Sequence, residues 1–247
     1  MKNISFLFLL LFFSSIENTQ AQSKTIAINH FNKVIVSPHI QVTFIEGDKE
    51  SVSIENINVP IEKLNVEVAG KTLRIYLDDA KMVTKSEKVD DDKWNGKRSI
   101  YNGTIVTAIV TYKSLEELSL RGEETIVCES LLKMDKFRLK IYGESQVYLN
   151  KVELGMLQTT IYGESFLEIK EGTIEKQKIT AYGETKINTL EVNNITTKIT
   201  AYGEGSYRIN VSENLKVTAY GKATIAYLGN PNVNKGIIIG ETTIQKI

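Results

Sequence analysis

Tyrosine and glutamate flank glycine again and again through the second half of this chain. Tyr142, Tyr162, Tyr182, Tyr202 and Tyr220 each precede a glycine. Glu123, Glu144, Glu164, Glu184 and Glu204 each follow one, with Lys222 interrupting the row and Glu241 after it. Repeated phenols and carboxylates suit contact with sugar rings or with a partner protein, and clustered carboxylate oxygens are also what Ca²⁺ prefers. Covalent chemistry has less to work with. The two histidines, His30 and His39, lie upstream of the repeat and read as ordinary strand residues; there is one cysteine and no Gly-x-Ser-x-Gly elbow. No His/Cys group has metal-ligand spacing. Acid–base work by a carboxylate pair needs two different environments, and the glutamate row is monotonous. The binding candidates are therefore Tyr142, Tyr162, Tyr182, Tyr202, Tyr220, Glu144, Glu164, Glu184 and Glu204, and no catalytic residue, metal site or cofactor is assigned.

The elements that position these residues follow from their spacing. Gly122, Gly143, Gly163, Gly183, Gly203, Gly221 and Gly240 recur at intervals of 18 to 21 residues. Around each glycine the residues alternate. One parity carries Ile141, Ile161, Ala181, Ala201 and Ala219 and, two residues earlier, Leu139, Thr159, Ile179, Ile199 and Val217. The other carries the tyrosines, then Thr160, Thr180, Thr200 and Thr218, then Lys178, Lys198 and Lys216. Period two is the strand period, so the first set faces inward and the second outward. After each corner, Val147, Leu167, Ile187, Tyr207 and Ile225 resume the inward set. About 20 residues hold two or three short strands and their corners but no helix, and repeated letters become neighbours only if coils stack parallel, about 4.8 Å apart. The expected fold is all-β: a single-stranded, right-handed parallel β-helix, or β-solenoid, with ~20-residue coils.

Upstream, residues 24–77 alternate less regularly and are expected to form irregular N-terminal β coils or a cap over the open end, since bare sheet edges invite aggregation. Residues 78–100 are dense in charge and read as a surface insert, with Trp94 as a packing residue or a partner anchor. Regular coils then occupy 115–247, and residues 22–247 count as one domain. Residues 1–21 begin with Lys2, continue with the apolar run Ile4 to Phe13 and end on Thr19-Gln20-Ala21. That run is too short to span a bilayer and fits a signal peptide, which implies export to the periplasm, outer-membrane surface or extracellular space. A formal net charge of zero argues against nucleic acid as a partner. Cys128, beside Ile126 and Val127, reads as a buried inert thiol.

The segment FNKVIVSPHIQVTFIEGDKESVSIE, the entry LEELSLRGEETI and the closing IAYLGNPNVNKGIIIGETTIQKI resemble the auto-transporter adhesin head domain, or GIN domain, of secreted bacterial proteins. Tyr227, Gly229 and Pro231 are the most specific of these features. The resemblance covers nearly the whole chain after the leader. It implies a right-handed β-helix outside the cytoplasm and an adhesive role, and it carries over no catalytic residue. The corners depart from the Ser-Gly-Ser-Gly tendency of that family, reading Tyr-Gly-Glu-Ser or Tyr-Gly-Glu-Thr here. The expected function is an exported, non-enzymatic binding module with a glycan or cell-surface protein as partner. A polysaccharide-processing β-helix enzyme and a purely structural envelope rod are the alternatives, and the oligomeric state stays open.

Overall fold

The computed structural model describes residues 24–91 and 94–247. The signal-peptide reading of residues 1–21 lies outside them, and the reading of Trp94 lies outside the described side chains. In chain order the strands are β1 (Lys24–Ala27), β2 (Lys33–Val36), β3 (Ile40–Glu46), β4 (Ser51–Ile57), β5 (Leu64–Ala69), β6 (Thr72–Leu77), β7 (Ser86–Asp91), β8 (Trp94–Ser99) and β9 (Val106–Tyr112). The repeat region supplies β10 (Glu117–Gly122), β11 (Thr125–Gly143), β12 (Gln146–Tyr162), β13 (Ser165–Ile169), β14 (Gly172–Tyr182), β15 (Thr185–Leu228), β16 (Asn232–Ile239) and β17 (Thr242–Lys246). Together they build a parallel β-solenoid of about 6 turns with ~20-residue coils.

Each regular coil has three straight segments. On the first face, the residues leading up to the corner glycine pair in unbroken register: Tyr142 with Tyr162, Tyr162 with Tyr182 and Tyr182 with Tyr202. The second face follows the corner, with Val147 opposite Leu167 and Leu167 opposite Ile187. The third is short, with Leu154 opposite Met134 and Ile174. Long elements such as β15 run through successive faces of one coil and into the next. The inward parity forms the core: Leu139, Thr159, Ile179, Ile199, Val217 and the row beginning at Ile141 are all buried. Stacking like on like lets each rung place the same apolar group over its neighbour, so the core continues along the axis without any coil needing a core of its own.

The N-terminal region is a mixed arrangement in which chain order and spatial order part company. β2 and β3 make a rung that pairs parallel on one side with β10 and β11. On its other side lie β6 and β9, also parallel. Beyond these the ladder turns antiparallel: β5 pairs with β6, and β4 and β1 continue from β9. Thus the irregular coils expected over 24–77 are one inserted parallel rung, β2–β3, the first half of a second, β6, which β9 completes, and antiparallel strands that cover the end. His30 and His39 both sit off strands. His30 belongs to the loop before β2, its Nδ1 3.0 Å from Glu50 Oε1. His39 lies in the turn entering β3 with φ 71°, where a Pro38-His39 step bends the chain too sharply for extended backbone. At the opposite end β16 and β17 pair only with β15, and Ile237, Ile239 and Ile247 are exposed there. Cys128 is free and fully buried, which pushes its thiol pKa up. Among the described residues no helix is long and apolar enough to cross a membrane.

The charged segment 78–100 has a definite place in this scheme. β6 precedes it on the first face and β9 follows it on the second, so the described residues of 78–105 form the corner of the outermost rung. Ser37-Pro38-His39 is the same corner one rung in, and Gly122-Glu123-Glu124 is the corner of the next. Inside the insert β7 and β8 form an antiparallel hairpin. Its base is closed by Lys85 N–H to Asp79 O and Ile100 N–H to Lys85 O, and anchored by the buried Ala80 and Tyr101.

Candidate functional site

The five tyrosines stand in one column. Successive ring centroids from Tyr142 to Tyr220 are 5.3, 4.6, 4.7 and 5.0 Å apart, with ring planes within 2–3° of parallel. The faces of the inner rings are therefore turned toward one another, and what Tyr162 (42% exposed) and Tyr202 (37%) offer to solvent is ring edge and hydroxyl. Burial by its neighbours, with the Tyr162 and Tyr202 hydroxyls alongside, holds the Tyr182 phenol above its ordinary pKa. Across the corner runs the glutamate row, with Glu123, Glu144, Glu164, Glu184 and Glu204 all exposed. Lys178 and Lys198 sit on the far side of the tyrosines, four positions before Tyr182 and Tyr202 on the same strands. The ion pairs formed by the described residues, such as Lys133–Glu153 and Lys151–Glu171, do not involve the row. No group of three or more potential metal-ligating side chains occurs among the described residues.

What holds the corner is backbone contact. Gly143 has φ 116°, and a Cβ there would lie 2.3 Å from the Gly122 carbonyl oxygen. At two corners the residue after the glutamate turns inward and ties its coil to the previous one: the Ser145 hydroxyl donates to Gly122 O and the Ser165 hydroxyl to Gly143 O, both at 2.9 Å.

The first corner departs from this pattern at two positions. Arg121 stands in register with Tyr142 and its guanidinium lies over that ring, 5.2 Å from the centroid. It continues the column as a cation, with Nη1 buried and without a hydrogen-bond partner. Glu124 stands where Ser145 and Ser165 stand in later coils. Only 7% exposed, its Oε2 accepts the Glu123 N–H at 3.0 Å, and Oε1 is 4.0 Å from His39 Nδ1. Burial pushes its carboxyl above the ordinary pKa, opposed by backbone N–H groups and by His39. The His39 ring is itself occupied: Nδ1 donates to Gly103 O at 2.7 Å, and Nε2 is 2.6 Å from the Thr84 hydroxyl. Since a carbonyl only accepts, the neutral ring carries its proton on Nδ1 and accepts from Thr84 through Nε2. His39 thus joins the inner corner to both limbs of the insert.

Between insert and corner lies a cleft of about 990 Å³. Met82, Val83, Thr84, Ser99 and Tyr101 to Thr104 contribute one wall; Pro38, His39, Arg121 to Glu124, Tyr142 and Gly143 contribute the other. The structure so brings the column and the glutamate row together as two parallel stripes, as the spacing predicts, and adds a cleft at their head that the reading of the repeat passes over. The signal was present in RGEE against YGES, a change of letter at two of the most regular positions.

Comparison with known proteins agrees with this architecture. The family model described as "putative auto-transporter adhesin, head GIN domain" matches residues 30–231. Among solved structures, a putative adhesin from Bacteroides fragilis aligns at 18% identity and TM-score 0.77, covering 91% of this chain and 96% of that one. A putative adhesin from Parabacteroides merdae aligns at 20% identity and TM-score 0.65, covering 93% and 97%. A putative lipid binding protein from Parabacteroides distasonis aligns at 18% identity and TM-score 0.67, covering 93% and 98%. At these identities the likeness concerns the fold. No match is found among curated proteins.

Proposed function

The chain belongs to this family of auto-transporter adhesin head GIN domains, and from that premise we propose that it works outside the cytoplasm as a non-enzymatic binding module. Its contact surface is the stripe formed by Tyr142, Tyr162, Tyr182, Tyr202 and Tyr220 with Glu144, Glu164, Glu184 and Glu204. The observation that carries this reading is the column itself, which repeats a phenol edge over roughly 19 Å at ~4.8 Å per rung, beside carboxylates outside the ion pairs of the described residues. Such a stripe favours an extended partner that presents hydrogen-bonding groups at a regular interval, as a glycan chain or an edge strand of a surface protein does. Recognition then runs through hydroxyl edges and carboxylates, because stacking has already engaged the ring faces.

A glycan array and a cell-surface pull-down with the purified protein, compared with Tyr162→Ala/Tyr182→Ala, test the reading. Binding by the parent and loss in the variant are expected. Equal and negligible binding by both would overturn it.

A second reading, polysaccharide processing, gains from the cleft, since that activity calls for a groove holding acidic and basic residues that the repeat lacks. Against it, both ring nitrogens of His39, the histidine that lines the cleft, are engaged within the protein, which leaves the cleft without a free imidazole base. New reducing or unsaturated ends after incubation with a polysaccharide panel would favour this second reading over the first.

A further inference from the structure

The cleft at the head of the column supports an inference that does not depend on the stripe. Two charged side chains replace the regular residues at one corner: Arg121 in the tyrosine register and Glu124 in the serine position. Both line the cleft. They are not joined in an ion pair among the described residues, since the one basic nitrogen within 4.0 Å of the Glu124 carboxylate is His39 Nδ1, and Arg121 leans on the Tyr142 ring instead. Facing them across the opening, the insert holds two apolar side chains out toward water, Met82 (56% exposed) and Val83 (76%). A carboxylate only 7% exposed, a guanidinium whose Nη1 is buried without a hydrogen-bond partner and an exposed apolar lip thus share one concavity, and each is a group that gains from a complementary ligand.

The ligand that satisfies all three must donate to Glu124, accept from Arg121 and lay a C–H surface on the lip. A free anion meets repulsion from Glu123 and Glu124, and a simple cation meets it from Arg121. A purely apolar ligand would strand both charges away from water. A pyranose ring carries what is needed on one small body. Its adjacent hydroxyls both donate and accept, charge assistance strengthens those bonds, and its axial hydrogens form an apolar patch. The cleft's volume lies in the range of small-molecule sites and admits one or two such rings. We infer that this corner is a binding site for a neutral saccharide unit, held by Arg121 and Glu124 and covered by Met82 and Val83 of the insert. The wider stripe is not required for it, because Tyr182 stands two rungs away from Tyr142 along the column.

The protein carries its own reporters for the test. Met82 rims the cleft, whereas Met134 and Met156 lie together on a different part of the surface. Protein labelled with ¹³C at the methionine methyls is titrated with neutral mono- and disaccharides (glucose, galactose, mannose, N-acetylglucosamine and their dimers), and with glycine, phosphate and guanidinium as controls. The expected result is saturable movement of the Met82 signal by at least one sugar, with Met134 and Met156 still. Arg121→Met and Glu124→Gln should each weaken that binding at least tenfold, and Lys235→Gln, exposed on β16 at the opposite end of the solenoid, should leave it unchanged. Val83→Asp, at an exposed position where folding is safe, should weaken it too, so the test survives if a corner variant fails to fold. The inference is overturned if no sugar moves Met82, if only the charged controls move it, or if Val83→Asp and Arg121→Met bind sugar as the parent does. Loss of array binding in Tyr162→Ala/Tyr182→Ala with this titration intact separates the cleft from the stripe.

Discussion

The corners at Gly163 and Gly122 share a backbone and differ in what fills it. Their φ angles are 114° and 115°. At Gly163 the space a Cβ would need is taken by the Gly143 carbonyl, 2.3 Å away, and at Gly122 it is taken by the Glu124 carboxylate, also 2.3 Å away, and by Pro38. One corner is closed by the rung before it and the other by a charged side chain. Where the sequence repeats, each residue is committed to its copy above and below: ring on ring, serine hydroxyl on glycine carbonyl. Where it lapses, at Arg121 and Glu124, polar groups are left facing a cleft. In a solenoid the regular coils supply stiffness, and the coil that breaks the rule is free to meet something other than itself.

The largest effect should come from closing a regular corner. Gly163→Ala forces a side chain against backbone at a φ that L residues avoid, and should lower unfolding free energy by about 2–4 kcal/mol in urea titrations. The contrast is Gly103→Ala in the insert, where φ is 61° but no atom lies within 4 Å of the added Cβ, so the cost should be about 1 kcal/mol. Equal losses would mean that stacking contributes nothing to the demand for glycine.

Next in size is the column. Tyr182 stacks on both neighbours, and Tyr182→Ala should cost about 1–3 kcal/mol beyond the lost area. Tyr182→Phe keeps the rings and should stay within about 0.5 kcal/mol of the parent while weakening any ligand that reads the hydroxyl edge. Smaller again, Ser165→Ala removes one bond to Gly143 O and should cost about 1 kcal/mol.

Much of the regular region can be read from the letters alone. In a parallel stack, equal spacing is equal height, so Tyr142 to Tyr220 and Glu144 to Glu204 had to form columns once the period was seen, and Leu139, Thr159 and Ile179 had to face inward together. The head of the molecule resists the same reading for a physical reason. β6 and β9 lie outside β2 and β3 although both come later in the chain, and no local pattern says which rung ends up outermost. Without that order, Met82 and Val83 cannot be placed opposite Arg121 and Glu124. His39 offered a hint, since a Pro-His step before an alternating run is a turn signal; its left-handed backbone and its bonds to Thr84 and Gly103 depend on partners 45 and 64 residues away.

The smallest effect, and the one that separates the corner carboxylate from an ion-paired strand carboxylate of the same coil by sign, is in pH. Glu117 and Glu124 belong to the same coil. Burial alone would raise the Glu117 pKa, but Lys140 at 2.7 Å, Arg138 at 3.0 Å and Lys33 outweigh it and hold the carboxyl below its ordinary range. Glu117 therefore contributes stability above about pH 4.3, the ordinary glutamate value, and that contribution is lost as pH falls through its lowered folded value. Glu124 works in reverse. With its folded pKa raised by burial, its contribution is fully present below about pH 4.3 and is lost as pH rises through the folded value. Urea midpoints from pH 3 to 8 should show Glu117→Gln losing ground to the parent as pH rises through the lower part of that range. Glu124→Gln should gain ground as pH rises above about 4.3. Parallel pH profiles for the two variants would mean that the first corner is solvated like the others, and that the lapse in the repeat leaves no buried charge behind.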